Sequence, residues 1–340
     1  MKIQRVEALD FPSLESKLSF PGLDSWTNFV NAVYDYKIHR YAVLEEAQPL
    51  AAIALAEVKH PVFGHYLVTA PFGSYGGFAF ETTTARDLLL EETRHLAEQI
   101  KVDYVAIRYE QGEAEPPANW IQHPAYNTYF VDLPTDPEAI LKTFSSDHRN
   151  HIRKSTKKGF GIRFGHLDLL DDIFEALALS MHELGSPYHT KTYLRKMAEY
   201  LGNTVEFVVL YDSQGKVAGG GVFVYQGDTV FNLHANILRR VRSAYAGESL
   251  YWAVIERGIQ KGLKTFDLGR SLVGSGNELF KMKWQPRKKL LAYWYWLAPG
   301  QSLPALNQKN PKFQFAIAVW KRLPTFIVRP LGPHLVRGLA

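Results

Sequence analysis

The sequence predicts an α/β protein made of two related modules. A pattern of three strands, followed by a helix and a further strand, occurs once in each half of the chain. Segments 88–108 and 250–270 each run from a leucine through a helix and a strand to an arginine, although the halves share almost no residue identity. The chain has 340 residues, 46% apolar and 21% charged, which is enough for two domains of ordinary size. We therefore expect a repeat of structure without a repeat of sequence.

The first module begins with a short amphipathic helix over 25–35. Alternating apolar residues then predict strands, Asp- and Pro-containing segments predict turns, and an apolar period near 3.6 predicts a helix. The expected strands are 41–45, 50–58, 66–69, 104–108 and 128–133, with the helix at 84–100.

Four helices are expected between the modules, at 137–144, 147–158, 168–183 and 190–201. The second module then repeats the first, with strands 205–211, 216–225, 229–235 and 265–268, a helix at 248–261 and a last strand at 290–297. These patterns divide the chain into a first domain (1–135), a second domain that carries the active site (136–300) and a basic amphipathic tail (301–340). We expect the tail to pack on the protein body or on another subunit; the alternative is that it lies on a membrane surface.

Composition narrows the class of protein further. The chain has no cysteine, which excludes disulfides, thiolate metal sites and a cysteine nucleophile and fits a reducing compartment. The N-terminal residues carry no apolar signal region, and no stretch is apolar over the length of a bilayer. The formal net charge of +5 favours an anionic partner. We therefore expect a cytoplasmic protein, with peripheral contact at the inner face of the membrane as an option.

The stretch 264–284 is the strongest candidate for a site. A short half-buried strand ends on Asp267-Leu-Gly-Arg270-Ser271 and leads into a loop around Gly276, with Phe280 and Lys281 close behind. A carboxylate, a guanidinium, a glycine-rich loop and a lysine then lie within twenty residues. The alternative is an ordinary strand-to-loop junction in which Arg270 pairs with Asp267.

Two basic clusters strengthen the case for an anionic ligand. Helix 147–158 places Arg149, Arg153 and Lys157 on one stripe, where like charges repel unless an anion compensates them. A second cluster runs from Lys281 to Lys289. A plain solvated face remains the alternative for the helix, and the absence of any named nucleic-acid motif argues against DNA binding.

The residues before helix 248–261, Arg242-Ser243-Ala-Tyr-Ala-Gly247, form a candidate donor-binding segment because helix starts can bind pyrophosphate. In GNAT acetyltransferases the corresponding signal has two glycines; here Tyr245 replaces the first, and Glu248 in the first turn disfavours a phosphate. The coenzyme A signal is therefore degraded.

Histidines do not predict a metal site. His148 and His151 are three residues apart on one helix, but the sequence offers no obvious acidic third ligand and no HExxH motif. We therefore expect no metal. His234, near the end of a central strand, could act as a base or as an orienting group, although a simple structural hydrogen bond is the commoner role.

Several motifs taken together resemble the Fem-type (FemA, FemB, FemX) aminoacyltransferase family. They are Arg149-Asn-His-Ile-Arg-Lys-Ser-Thr-Lys-Lys-Gly, Glu248-Ser-Leu-Tyr-Trp, Phe266-Asp-Leu-Gly-Arg-Ser and Phe280-Lys-Met-Lys-Trp. The segment Leu184-Gly-Ser-Pro-Tyr188-His189 and the tail at Trp320-Lys-Arg-Leu-Pro are most similar to the subgroup found with exosortase and PEP-CTERM exopolysaccharide systems. The resemblance covers roughly residues 145–340. Two departures are the missing coiled-coil arm of FemA and Gln285-Pro286 where a glycine and an aromatic usually follow.

This resemblance implies an α/β (α+β) fold of two tandem GNAT-like acyltransferase domains, each a mixed, mostly antiparallel sheet with flanking helices. It implies no cofactor, and an acyl donor as co-substrate, either aminoacyl-tRNA or, as the alternative, acyl-coenzyme A. It also implies that Lys281, beside Phe280, stabilises the oxyanion, with Asp267 and Arg270 shaping the site. The substrate-binding residues it suggests, with those from the patterns above, are His148, Arg149, Arg153, Lys154, Tyr188, His189, His234, Ser271 and Gly276.

The expected function is therefore a non-ribosomal N-acyltransferase that forms an amide on an amine of an anionic, phosphate-linked cell-envelope precursor, from peptidoglycan or an exopolysaccharide. One alternative is a coenzyme A-dependent N-acyltransferase acting on an amino sugar. The other is a non-catalytic protein that binds RNA or a membrane surface through its basic clusters, which predicts steeply salt-dependent binding.

Overall fold

A computed structural model describes residues 1–110, 115–304 and 311–340 of the chain. The described residues form two compact units. The first comprises residues up to 127, 289–304 and 337–340; the second comprises 128–288 and 311–336.

The first unit contains a sheet with three helices. Its strands are β1 (Lys2–Arg5), β2 (Lys37–Glu45), β3 (Gln48–His60), β4 (Gly64–Val68), β5 (Phe78–Phe80), β6 (Tyr104–Tyr109) and β14 (Arg287–Leu297, from Lys289 onward), and its helices are α1 (Pro12–Leu18), α2 (Asp24–Tyr34) and α3 (Thr83–Ile100). The strand order is β1-β2-β3-β4-β6-β14, with β5 paired to β3. Only β4 and β6 are parallel among the pairs described in this unit; β2 and β3 turn at Glu46 and Ala47, whose φ angles of 47° and 71° suit a two-residue hairpin.

The second unit contains a sheet with eight helices among its described residues. Its strands are β7 (Ile121–Asp132, from Thr128 onward), β8 (Gly161–Gly165), β9 (Val205–Tyr211), β10 (Val217–Gln226), β11 (Thr229–Ile237), β12 (Thr265–Asp267) and β13 (Ser271–Leu272). Its helices are α4 (Pro137–Thr143), α5 (Ser146–Thr156), α6 (Leu170–Leu184), α7 (Lys191–Leu201), α8 (Ala246–Gln260), α9 (Gly276–Met282), α10 (Pro311–Trp320) and α11 (Thr325–Val336). The strand order is β7-β12-β11-β10-β9-β8, in which β11 and β12 are parallel and the other pairs are antiparallel.

The predicted structural repeat is confirmed. In the first unit the meander β2-β3-β4 is followed by α3 and by β6, which lies parallel to β4. In the second unit the meander β9-β10-β11 is followed by α8 and by β12, which lies parallel to β11. A parallel pair needs a long crossover, and the helix supplies it in each case. The expected fold of two mixed, mostly antiparallel sheets with flanking helices is therefore correct.

The unit boundaries differ from the predicted boundaries at 135/136 and 300/301. Val131 of β7 pairs with Phe266 of β12 in the second unit, and Trp294 of β14 pairs with Ile107 of β6 in the first. The sheet of the second unit thus contains residues of β7 that the predicted boundaries assign to the first domain. The sheet of the first unit contains β14, which they assign to the second domain. The partners lie far apart in the sequence, so local patterns do not reveal the pairing.

The core that supports the site lies in the second unit. Leu250, Val254 and Ile255 of α8 are fully buried and belong to one apolar cluster with Phe223 and Phe266 of the sheet. Burial of side chains of this size contributes roughly 1.5–3 kcal/mol each relative to leaving them exposed. This packing holds α8 against the sheet.

The C-terminal helices α10 and α11 pack on α6 within the second unit. The ring Nε2 of His182 lies 3.1 Å from the Trp320 carbonyl oxygen, and Arg329 pairs with Glu175 at 2.5 Å. The expected packing of the tail on the protein body is thus present for residues 311–336, whereas 305–310 of the predicted tail lie outside the described residues. Among the residues that the structure describes, no helix has both the length and the apolar character needed to cross a bilayer.

Candidate active site

The parallel strands β11 and β12 diverge a third of the way along β11. Their pairing ends with Phe231 opposite Asp267, whereas β11 continues to Ile237. Gly269 turns the chain after β12 with a φ of 76°, a left-handed conformation that glycine adopts without strain. The far half of β11 is therefore not paired with β12 and can line a cavity.

A cavity of about 720 Å³ opens beside this half of β11. It is lined by the end of β11, the start of α8 and the segment that contains α9. The lining residues are Leu184, Ala235, Asn236, Ile237, Arg242, Tyr245, Gly247, Glu248, Leu250, Tyr251, Ser275, Gly276, Asn277, Phe280 and Lys283. A cavity of this volume, with apolar walls and a few polar groups, is typical of a small-molecule site.

The start of α8 faces the cavity without a side-chain cap. Tyr245 is its N-cap, in a left-handed conformation with φ of 60°, and makes no capping hydrogen bond through its side chain. Uncapped backbone N–H groups at a helix start attract anions. Of the predicted donor-binding residues, Arg242 and Gly247 line the cavity, and Ser243 is not among the lining residues.

Gly247 lets α8 approach α9 closely. A Cβ atom at this position would lie 3.3 Å from the Phe280 ring, tighter than most such contacts. Gly247, predicted as a donor-binding residue, therefore also has a packing role, because it lets Phe280 lie at the cavity wall.

Asp267 is buried at the end of β12, with 2% of its surface exposed. Its Oδ1 accepts hydrogen bonds from Thr128 Oγ1 at 2.6 Å and from the Gly269 backbone N–H at 2.8 Å. The carboxylate thus fixes the turn that ends the strand. This geometry agrees with the site-shaping role that the resemblance implies, which stays a prediction.

Lys281 is buried beneath the same turn, with 3% of its surface exposed. Its Nζ donates to the carbonyl oxygens of Gly269 at 2.8 Å and Arg270 at 2.9 Å and lies 5.6 Å from the centre of the Tyr129 ring. Burial lowers the pKa of Lys281 to about 7, although the Asp267 carboxylate acts to raise it. Lys281 is not among the lining residues of the cavity, and its predicted catalytic role stays a prediction.

Lys283, two residues after Lys281, is a lysine of the cavity wall. It lines the cavity together with Phe280, and its Nζ lies 5.9 Å from the centre of the Phe280 ring. The segment around Gly276, predicted as a loop, is instead helical: Gly276–Met282 forms α9, capped by Ser275. The helix is the reason that two lysines so close in sequence have different surroundings.

The predicted substrate-binding residues of α5 face different surroundings. Arg149 donates to the carbonyl oxygen of Phe144, whereas Arg153 and Lys154 are exposed. His148 is 2% exposed, in contact with Trp284. Arg149, Arg153 and Lys154 are not among the lining residues of the cavity, so any contact with a substrate phosphate would be made outside it.

The buried Tyr188 and His189 meet the half-buried His234 in one cluster. The His189 ring stacks on Tyr193 at 3.7 Å, and the Tyr193 hydroxyl lies 3.3 Å from His234 Nε2. Burial lowers the pKa of His234 to about 4 and also lowers that of His189, so both rings are neutral near pH 7. The cluster lies outside the 720 Å³ cavity, and its predicted role in substrate binding stays a prediction.

Two further predicted residues, Ser271 and Gly276, lie near α9. Ser271 is 4% exposed and its Oγ accepts a hydrogen bond from Asn277 Nδ2 at 3.0 Å. Gly276 lines the cavity, where a Cβ atom would meet only open space. Ser271 thus supports a residue of the cavity wall, and Gly276 forms part of that wall.

The structure supplies the acidic group that the sequence analysis did not find for the two histidines of α5. Glu248 lies beside His148 and His151, and one ligand atom from each of the three lies within 4.8 Å of the others. One of the two reasons for expecting no metal, the lack of an acidic third ligand, therefore does not hold, and the expectation itself stays a prediction. Residues 148 and 248 are distant in sequence, and only the packing of α5 on α8 brings them together.

Comparison with known proteins agrees with this architecture. Residues 143–282 match the family model described as an acetyltransferase (GNAT) domain. FemX has 12% identity and a TM-score of 0.66, covering 88% of this chain and 98% of FemX. A tandem GNAT protein from the clavulanic acid biosynthesis pathway has 11% identity and a TM-score of 0.57, covering 88% and 99% of the two chains. L-PGS from Bacillus licheniformis has 15% identity and a TM-score of 0.53, covering 85% and 90%. No curated protein matches the chain.

These similarities show that the chain has the tandem GNAT fold, as the Fem-type resemblance implied. The matched domain, 143–282, contains α5, α8 and α9 and nearly all of the cavity wall. The GNAT acetyltransferase description of that domain supports the acyltransferase class predicted from the sequence.

Proposed function

We propose that the chain is a Fem-type N-acyltransferase, which forms an amide on an amine of an anionic cell-envelope precursor in the cytoplasm. The observation that carries this proposal is the cavity at the divergence of β11 and β12, beside the uncapped start of α8. An acyl donor can lie along the unpaired half of β11 while its anionic part faces the start of α8. The favoured donor is aminoacyl-tRNA; the acceptor amine belongs to a phosphate-linked precursor of peptidoglycan or of an exopolysaccharide.

The reaction requires a neutral amine and an activated ester held together. The amine nitrogen attacks the ester carbonyl carbon, the C–O bond breaks, and the ribose oxygen leaves with a proton as the amide forms. No covalent bond to the protein is needed, so positioning and a cation at the developing oxyanion supply most of the acceleration.

Two lysines can provide that cation. Lys281 is buried and already holds two carbonyl oxygens, so it would have to exchange one of them for the substrate. Lys283 lines the cavity, and its Nζ is 3.6 Å from Glu248. Our first candidate remains Lys281, because it follows Phe280 in the motif that the Fem-type resemblance places near the reacting ester, and because its Nζ is held in place by these two carbonyl oxygens.

Substitution of each lysine by methionine shows which of the two supplies the cation. If Lys281 stabilises the oxyanion, Lys281→Met lowers kcat by about 10²–10³ with little change in acceptor affinity, and Lys283→Met has a smaller effect. The reverse order would move the role to Lys283. Equal losses in kcat and in acceptor affinity for Lys281→Met would show that this lysine only holds the 269–270 backbone in place.

Donor binding tests the proposal itself. The purified protein is titrated with charged tRNA, uncharged tRNA and acetyl-coenzyme A at physiological salt. We expect saturable binding of charged tRNA, tighter than that of uncharged tRNA. Arg242→Gln should weaken it, because Arg242 lines the cavity, whereas Arg239→Gln is the matched control: Arg239 lies in the same turn but bonds to Glu183.

Coenzyme A is the second candidate donor, favoured by the uncapped start of α8 and opposed by Glu248 in its first turn. Tight binding of acetyl-coenzyme A, with no preference for charged tRNA, would establish it and direct the search to amino-sugar acceptors. Binding of neither donor would overturn the proposed acyl transfer. Salt-sensitive binding of tRNA regardless of charging would favour a non-catalytic RNA-binding protein.

We further propose that the C-terminal helices contact the membrane surface where a lipid-linked acceptor would lie. Phe315 and Phe326 are 73% and 75% exposed, and Lys321 and Arg322 lie between them in sequence and are exposed as well. Exposed aromatic rings beside cations suit an anionic bilayer. Co-sedimentation with anionic vesicles should fall for Phe315→Ser/Phe326→Ser and stay unchanged for a Val62→Ser control in the first unit; no sedimentation of the wild type would overturn this contact.

A further inference from the structure

We propose that His148, His151 and Glu248 form a binding site for one divalent transition-metal ion of the zinc class, in the wall of the cavity. His148 and His151 lie three residues apart on α5, and Glu248 lies in the first turn of α8. One ligand atom from each residue lies within 4.8 Å of the other two, so small rotations of the side chains can close them around an ion. The inference rests on these contacts and does not depend on the proposed acyl transfer.

His148 provides the independent sign of a missing ligand. The residue is 2% exposed, and neither of its ring nitrogens has a hydrogen-bond partner. Leaving a buried polar atom without a partner costs roughly 1–3 kcal/mol. The ring is held edge-on by Trp284 at 4.5 Å and by Phe144 at 5.3 Å. An imidazole with no partner on either ring nitrogen, one of which lies within 4.8 Å of a carboxylate oxygen and of a second imidazole, is placed as a metal ligand is.

His151 is oriented by groups on both sides. Its ring stacks on Tyr245 at 4.4 Å, and its Nε2 lies 3.4 Å from Asp147 Oδ1. Its Nδ1 is buried and without a partner. A carboxylate on one ring nitrogen commonly leaves the other free to bind a metal and fixes the ring for it. Asp147 therefore acts as an outer partner of the proposed site.

Glu248 connects the site with the cavity. It is 5% exposed and lines the cavity, so an ion can enter from there and can keep an open coordination position facing it. Three protein ligands with one open position are typical of catalytic zinc sites. Two imidazoles and one carboxylate favour Zn²⁺ or Co²⁺ over Mg²⁺ or Ca²⁺, which prefer oxygen ligands.

Lys283 competes with the ion for Glu248. Its Nζ lies 3.6 Å from Glu248 Oε1, and its side chain is 43% exposed. A dication attracts the carboxylate more strongly than an ammonium does, and the exposed lysine can move into solvent when the ion binds. Binding should therefore tighten when Lys283 is replaced by a neutral residue of similar length.

The experiment is equilibrium dialysis of the chelator-treated full chain against Zn²⁺, with metal analysis, and a titration with Co²⁺ followed by its visible absorption. We expect one Zn²⁺ per chain, no Mg²⁺ at the same concentration, and a cobalt spectrum that Zn²⁺ abolishes. His148→Phe and Glu248→Gln should each weaken binding at least tenfold, and Lys283→Met should tighten it severalfold. His95→Gln is the control, because His95 is an exposed histidine that lies 3.1 Å from Glu91 on the surface of α3.

Two results would overturn the site. One is less than stoichiometric Zn²⁺ uptake by the wild type. The other is uptake that survives both His148→Phe and Glu248→Gln, or that falls equally in the His95→Gln control. Because Glu248→Gln and Lys283→Met change few atoms, and circular dichroism checks their folding, a misfolded His148→Phe protein would still leave a decisive pair of variants.

Discussion

Each of the two units contains a cluster of two histidines and one glutamate, and the two clusters differ in how their polar atoms are satisfied. In the first unit Glu57 of β3 lies between His39 of β2 and His65 of β4. The Nε2 atoms of the two histidines lie within hydrogen-bond distance of the Glu57 carboxylate oxygens, at 2.9 and 3.0 Å. Lys59 adds a third contact at 2.9 Å. We call this group the closed cluster.

The second unit holds the open cluster, His148, His151 and Glu248. Both ring nitrogens of His148 and Nδ1 of His151 lack partners, and the cation nearest to Glu248 among its described ion pairs is Lys283 at 3.6 Å. In the closed cluster both Nε2 atoms already contact the cluster's own carboxylate, although His39 Nδ1 is buried without a hydrogen-bond partner. We therefore infer that this cluster stabilises the sheet. The open cluster keeps its lone pairs and lies in a cavity wall. The same residue types thus give a structural element or a ligand site, depending on which atoms the fold leaves available.

The largest expected effect is on stability when the carboxylate of the closed cluster is lost. Glu57→Gln replaces a buried acceptor of three donors by an amide that offers one acceptor oxygen and a competing donor. We expect a loss of about 3 kcal/mol in the free energy of unfolding. Glu248→Gln should cost less than about 1 kcal/mol in metal-free buffer, since its carboxylate has weaker partners. Urea denaturation of both variants with chelator present measures the difference, and equal losses would mean that the open cluster is also a structural ion-pair site.

The parts of the fold that depend on residues close in sequence were predictable. The meanders, α3 and α8 follow from alternating or helical apolar patterns, and the repeat follows from their order. The exchange of β7 and β14 between the sheets was not predictable, because strand partners distant in sequence leave no local signal. Helix α9 was missed because its first residue is Gly276, beside two further turn-forming residues, Gly274 and Ser275.

Part of the candidate site was predictable from sequence. Gly247 and Phe280 belong to motifs close in sequence and line the cavity, whereas Asp267, from the same motifs, is not among the lining residues. The partnership of His148 with Glu248 depends on how α5 packs on α8, which no local pattern encodes. The sequence predicted Glu248 in the first turn of a helix, but from sequence alone this carboxylate indicated only that a phosphate is disfavoured there.

The next largest effect is the dependence of stability on pH. Burial acts to raise the pKa of Glu57, but hydrogen bonds from Lys59, His39 and His65 lower it to about 2, from an ordinary value of 4.5. The unfolded chain therefore takes up the proton first, so the stabilisation is complete above the ordinary pKa and is lost as the pH falls toward the folded one. Between pH 4.5 and about pH 3 the wild type should lose about 1 kcal/mol more than Glu57→Gln, allowing for solvent screening at Lys59. Denaturation curves at four pH values test this, and parallel losses in the two proteins would contradict the carboxylate's assigned role.

The smallest effect compares the two lysines that accompany the glutamates. Lys59→Met and Lys283→Met should each cost about 0.5 kcal/mol without metal, because both side chains are substantially exposed, 69% and 43%. The two variants should then differ in how much stability they gain from zinc. Binding to the folded state alone adds about 2.7 kcal/mol when zinc is at a hundred times its dissociation constant. At one fixed zinc concentration Lys283→Met should gain more than the wild type, since its site binds more tightly, whereas Lys59→Met should gain the same as the wild type. Thermal unfolding with and without zinc measures both gains, and a larger gain for Lys59→Met would place the ion at the closed cluster instead.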